Sequence, residues 1–152
     1  MESQTVVVDI VSSPESLPQY ATPGSAALDL KACLDRYIHG DAIAIYPGRT
    51  EEVPLGIAVS LPSGTCGLVL PRSGLASRYG ITLANSVGLV DIDFRGLWKA
   101  YLHNQSANTY WVKNGDRIAQ LLVVPFLRVE WNPVEQLDET ERGEGGFGST
   151  GR

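Results

Sequence analysis

TEEVPLGIAVSLPSGTCGLVLP, residues 50–71, decides the fold. It holds three short apolar runs, Thr50–Val53, Gly56–Leu61 and Gly67–Leu70, closed by Pro54, Pro62 and Pro71. Proline lacks the N–H that a ladder needs and therefore stands at strand ends. Runs this short, rich in Val, Ile and Leu and separated by Gly and Pro, read as strands of an all-β sandwich or barrel. Outward from this stretch the same pattern marks Thr5–Val11, Asp41–Ile45, Ile81–Leu83, Leu97–His103, Thr109–Val112 and Ile118–Phe126, with Pro47 and Pro125 as further punctuation. Their spacing predicts a jelly-roll-like β-sandwich or barrel. One short helix is expected over Ser73–Tyr79, with Ser73 as N-cap and Leu75, Ala76 and Tyr79 as its apolar face.

A chain of 152 residues with 43% apolar content can build one core without disulfides or metal clips. The expected division is a β-domain over 1–133 and an arm over 134–152, because after Trp131-Asn132-Pro133 the sequence turns acidic, then glycine-rich, and has almost nothing to bury. Cys33 and Cys66 lie far apart with no CxxC partner and no neighbouring histidine, which excludes a zinc signature and predicts buried free thiols. His39 and His103 have no acid or cysteine at ligand spacing and are expected to be structural or solvent-facing. A net charge of −5 disfavours nucleic acid as a partner, since backbone binders carry a basic stripe. The start MESQTVVVDIVSS has no basic region ahead of a long apolar run, so the expectation is a soluble cytoplasmic protein with no membrane contact.

Five stretches carry residue types suited to chemistry. In PRSGLA, Pro71–Ala76, an arginine and the first N–H groups of a helix can converge on a phosphate; a plain helix cap with a surface ion pair would look the same. GLVDIDFRG, Gly88–Gly96, offers Asp91 and Asp93, which on a strand or hairpin arm would face one way and serve as a general base, although aspartates also favour turns. GDRIAQL, Gly115–Leu121, reads as a polar turn with an ion pair at the mouth of a buried strand. AALDLKA, Ala26–Ala32, reads as a strand with one awkward charge, Asp29. RGEGGFGSTG, Arg142–Gly151, has glycines that let backbone amides approach an anion and a ring, Phe147, that can stack on a base, but it also fits a disordered tail. It is no P-loop, because Ser149 stands where that motif requires lysine.

In chain order, AALDLKA, PRSGLA, GLVDIDFRG, GDRIAQL and RGEGGFGSTG resemble the five ordered motifs of the trimeric dUTPase family, and the resemblance runs from about Val6 to Arg152. It implies a jelly-roll subunit in a homotrimer whose active sites are built from all three chains, with the arm closing over a neighbour's site. The reaction implied is hydrolysis of dUTP to dUMP and pyrophosphate, which supplies dUMP for thymidylate synthesis and keeps uracil out of DNA. Residue by residue, Arg72, Ser73 and Gly74 match the triphosphate motif, and Gln120 matches a residue facing the phosphates. Asn85, Gly88 and Val90 belong to the hairpin that reads uracil through its backbone. Asp91 matches the acid that activates water, and Phe94 the ring under deoxyribose. Arg142, Phe147, Gly148, Ser149 and Thr150 match the arm that caps the γ-phosphate and the base. Mg2+ is implied as a passenger of the substrate triphosphate, met by Asp29 and Gln120 through water and by no direct protein ligand.

The chain departs from the family pattern at three places: Ala27 stands where glycine is common, Ile92 where serine is common, and Phe94 where tyrosine is common. Loss of the phenol touches discrimination against ribose. Two rival readings are a dCTP deaminase-like enzyme, disfavoured because Tyr101 occupies the place of its catalytic glutamate, and a dUTPase-like nucleotide-binding regulatory protein, disfavoured by the intact Asp91 and tail.

Overall fold

A computed structural model describes residues 5–146 and is almost entirely antiparallel β-structure. Twelve strands appear in chain order: β1 Asp9–Ser12, β2 Gln19–Tyr20, β3 Leu28–Lys31, β4 Ala42–Ile45, β5 Thr50–Pro54, β6 Ile57–Ser60, β7 Thr65–Pro71, β8 Ile81–Leu83, β9 Gly88–Val90, β10 Lys99–Asn104, β11 Tyr110–Lys113 and β12 Arg117–Pro125. Two short helices interrupt them, α1 Arg36–His39 and α2 Ser73–Tyr79. The largest sheet runs β2-β3-β12-β7-β9; a second runs β5-β10-β8; β1 pairs with β6 and β11 with β4. Among the described residues no helix is long and apolar enough to cross a membrane.

The quoted stretch behaves as strand alternation demands. Val53, Leu55, Ile57, Val59 and Leu61 are all buried, while the residues between them are partly exposed. This period of two sends one face inward, onto a core completed by Leu30, Ile45, Ile81, Leu102, Val112 and Ile118. Gly56, expected inside a strand, instead makes the bend between β5 and β6 at φ +66, where an added Cβ would lie 2.5 Å from Cys33 Sγ. The buried Trp98 bridges that bend through its backbone, donating its main-chain N–H to Ile57 O and accepting at its carbonyl from Leu55 N. The first strand begins at Asp9 rather than Thr5. Its partner β6 gives way to Leu61 and Pro62, and proline has no N–H with which to extend the ladder toward Val7.

Two further expectations need correction. Ser73 is the first residue of α2 and not its N-cap; the cap is Arg72, extended at φ −91 and ψ 127, with no side-chain capping bond. Of the apolar face only Leu75 is buried, while Ala76 and Tyr79 are exposed. The helix α1 was not expected: Asp35 accepts from Tyr37 N as its cap, and Gly40 at φ 68 ends it. Cys66 is buried and Cys33 only partly so, both as free thiols. His103 Nδ1 lies 2.9 Å from Thr50 Oγ1, and His39 Nδ1 accepts from Asp35 N.

Candidate active site

The site begins with an acid inside a sheet. Asp29 sits on β3 between β2 and β12, opposite Gln19 and Gln120, and is only 7% exposed. Taking a carboxylate out of water is unfavourable unless it is paired and fully bonded. Both oxygens are: Oδ1 lies 2.9 Å from Arg72 Nε, and Oδ2 accepts from Arg117 Nη1 at 3.1 Å. Arg72 also donates through Nη1 to Arg117 O at 3.0 Å. Tertiary pairing therefore fixes Arg72 in the extended backbone that starts α2, and the helix needs no serine cap. Gln120 is anchored as well, with Nε2 donating to Pro71 O at 2.9 Å.

These side chains wall a cleft of about 440 Å³, lined by Ala27, Asp29, Arg72, Ser73, Gly74 and Gln120 among others. The N–H groups of Ser73 and Gly74 open α2 and have no intrahelical acceptor. Gly74 leaves the space clear, since an added Cβ would meet nothing within 4 Å. Two guanidinium groups against one carboxylate leave the cluster net positive inside an acidic chain, which suits an anion.

The segment expected to read a base, Asn85 to Val90, has a different construction. β8 pairs with β10 and β9 with β7, so the two arms around Asn85 belong to different sheets and each is an edge strand. They are not the two strands of one hairpin. Between them Ser86 takes φ 61, the one positive φ at a non-glycine among the described residues, and Ser86 N bonds to Leu83 O. Gly88 lies tight against β7, where an added Cβ would stand 3.2 Å from Val69 Cβ. Val90 ends β9. Asp91 and Asp93 then fall in the exposed turn that follows, not on a strand, and Phe94 N bonds to Asp91 O. Ile92 packs partly buried against the core, while Phe94 is 46% exposed with its ring over Gly96, where a Cβ would lie 2.7 Å from Cζ.

Within one chain Asp91 does not line this cleft. Val90 faces Gly67 on β7, so Asp91 continues beside Cys66, six residues before Arg72. At ~3.3 Å per strand residue that is roughly 20 Å. Arg142 lies in an exposed turn, donating Nε to Gly145 O at 2.9 Å, and does not line the cleft. Phe147, Gly148, Ser149 and Thr150 lie outside the described residues. Asp116 accepts from Lys113 N in a turn, so the ion pair at the mouth of β12 is formed by Arg117 with Asp29, not with Asp116. Sequence reasoning did not pair Arg117 with Asp29. The signal for Arg117 was an unexplained buried acid, Asp29, in need of a cation.

No three His, Cys, Asp or Glu side chains gather into a metal-holding group among the described residues. Tyr101, on the outward face of β10, donates its hydroxyl to Glu52, whose other oxygen meets Lys99 Nζ at 2.7 Å. The bonds from Lys99 and then Tyr101 hold the Glu52 carboxyl below its usual range, and the bond to Glu52 pushes the Tyr101 phenol up. None of the three lines the cleft.

A family model described as dUTPase matches residues 13–151. Deoxyuridine 5'-triphosphate nucleotidohydrolases of Tolumonas auensis and Salmonella typhi are each 47% identical to the chain over 137 residues, 90% of this chain and 87% of the relative. Among solved structures, the Staphylococcus bacteriophage 80alpha dUTPase with dUPNHPP aligns at TM-score 0.78 and 24% identity, covering 97% of this chain and all of that one. A mutant dUTPase from phage phi11 of S. aureus, solved for its coordination of a structural Mg(II) ion, aligns at TM-score 0.73 and 20% identity over 86% of this chain and 98% of that one. At those identities the two phage structures speak for the fold.

Proposed function

We infer the function from one premise: the chain belongs to the dUTPase family. It acts as a dUTP diphosphatase, hydrolysing dUTP to dUMP and pyrophosphate, at centres shared between the chains of a homotrimer. The observation that carries the shared centre is the roughly 20 Å along β7 between Asp91 and Arg72, a gap that a second copy closes by bringing its own Asp91 to this chain's cleft.

In that centre Arg72, the opening N–H groups of α2 and Gln120 hold the triphosphate. The free edges of β8 and β9 and the turn between them offer backbone donors and acceptors to uracil from Asn85 to Val90, without ordering any long side chain. Phe94 packs under the sugar. Asp91 takes a proton from a water aimed in line at the α-phosphorus. The new P–O bond forms as the bridge to the β-phosphate breaks, and the electron pair leaves with pyrophosphate. The arm 134–152, through Arg142, Phe147, Gly148, Ser149 and Thr150, covers a neighbour's site and excludes water. Magnesium bound to the triphosphate would neutralise charge on the departing pyrophosphate. The side chains here fit such a passenger ion: Asp29 already spends both oxygens on arginines, and Asp29 and Gln120 would meet a hydrated metal through water. The product dUMP feeds thymidylate synthesis in the cytoplasm.

Two assays test this. With magnesium, dUTP should release pyrophosphate and dCTP should release no ammonia; ammonia from dCTP without pyrophosphate from dUTP would overturn the activity. For the shared centre, the inactive variants Asp91→Asn and Arg72→Ala are unfolded together and reassembled. Random mixing pairs an intact Asp91 with an intact Arg72 in about a quarter of sites, so activity should reappear. Continued silence of the mixture would place both residues in one chain's site.

A further inference from the structure

We infer that Arg117 is a positioning residue for the phosphate cleft: through the buried Asp29 it holds the Arg72 guanidinium in place. The inference rests on the reading of the cleft given above and extends it to a residue that no part of that reading uses.

A β-strand alternates its faces, and Gln120 on β12 is directed to the cleft. Arg117 stands three positions before Gln120, an odd offset that in a regular strand would turn the arginine to the opposite face. Between Arg117 and Ala119, however, the register of β12 against β3 shifts, and Ile118 and Ala119 are both buried in succession. Such a bulge re-aims the side chain that precedes it. Here it delivers Arg117 Nη1 to within 3.1 Å of Asp29 Oδ2.

Three bonds then interlock. Arg117 holds one oxygen of Asp29, Asp29 holds Arg72 by the other, and the Arg117 carbonyl accepts from Arg72 Nη1. Arg72 thus commits Nε and Nη1 to the protein and keeps Nη2 for a ligand. A guanidinium tied down in this manner loses little freedom when an anion arrives. Arg117 itself is half-exposed and does not line the cleft, so its influence on a phosphate runs through Asp29.

The test uses the full chain with four substitutions: Arg117→Ala, Arg117→Lys, Asp29→Asn and the double Asp29→Asn/Arg117→Ala. The readouts are calorimetric binding of inorganic tripolyphosphate, kcat and KM for dUTP with magnesium, and the melting temperature. Arg117→Ala should weaken tripolyphosphate binding and raise KM by about 10- to 100-fold, the usual loss when an outer partner of a ligating group is removed. Arg117→Lys should recover only part of this, because a point charge does not supply a planar fork. The double variant should bind no worse than Asp29→Asn alone, since both changes break one linkage. Unaltered binding in Arg117→Ala overturns the inference, as do additive losses in the double variant. If the alanine variant does not fold, wild-type binding by Arg117→Lys overturns it equally. Tripolyphosphate binding that follows this pattern in a chain inactive on dUTP would uphold the positioning role while removing the proposed substrate.

Discussion

The two ends of β7 carry opposite kinds of structure. Toward Arg72, the chain has buried an acid, tied it to two arginines and anchored a glutamine, so the side chains of the cleft are bonded to the protein itself. Toward Thr65, the neighbouring turn exposes Asp91 and leaves Phe94 46% accessible, and the segment beyond β12 exposes Leu127 at 93% and Trp131 at 85%. Apolar groups that accumulate on a surface in this way ordinarily meet a partner. The difference teaches a division of labour: the acid Asp29 is satisfied within one chain, and Asp91, the acid proposed to react, is displayed on the surface.

Three substitutions and one deletion bear on this contrast. Asp91→Asn removes a displayed base, so turnover should fall by about 10²–10⁴ while dUTP affinity and melting temperature hold. Steady-state kinetics beside a thermal melt check this, and a lowered melting temperature would mean that Asp91 has a structural task. Asn104 lies on the finished side, fully buried, with its amide donating to Ile45 O and Asn108 O and accepting from Ser106 N and Oγ. Asn104→Ala strands those groups and should lower the unfolding free energy by about 3 kcal/mol, measured by urea titration. Deleting 142–152 should leave the oligomer intact by light scattering yet cost about 10- to 100-fold in kcat/KM, the worth of one charge-assisted phosphate contact of ~1.5–3 kcal/mol. Collapse of the oligomer would make the tail part of the fold. The smallest effect belongs to Phe94→Tyr, which should change kcat/KM for dUTP by less than about tenfold and show itself chiefly as a sharper preference over UTP.

Strand content was legible in the sequence because alternation and proline punctuation are local signals, and Val53 to Leu61 obey them residue by residue. Short elements were not: β2 has two residues and α1 has four, too few for any period to register. Even so, Asp35 and Gly40 frame α1 as cap and stop. The Ser73 cap was misplaced because the start of α2 is set by a contact with Asp29, 43 positions earlier, which no window around the helix contains. Asp29, Arg72, Ser73, Gly74 and Gln120 do meet in one cleft. That Asp91 stands apart from them follows from the β7–β9 register, a long-range fact, and the bulge that aims Arg117 is invisible for the same reason.

With the centre shared between chains as proposed, the register of β7 against β9 also gives turnover an order in protein concentration. When an acid from one chain must meet an arginine from another, a solitary chain has no working centre, however well it folds. The population of complete trimers at high dilution varies as the cube of free chain concentration. Specific activity, flat for a self-sufficient enzyme, should then bend downward on dilution and recover on concentrating the sample. The midpoint of that bend measures the affinity of the chains for one another.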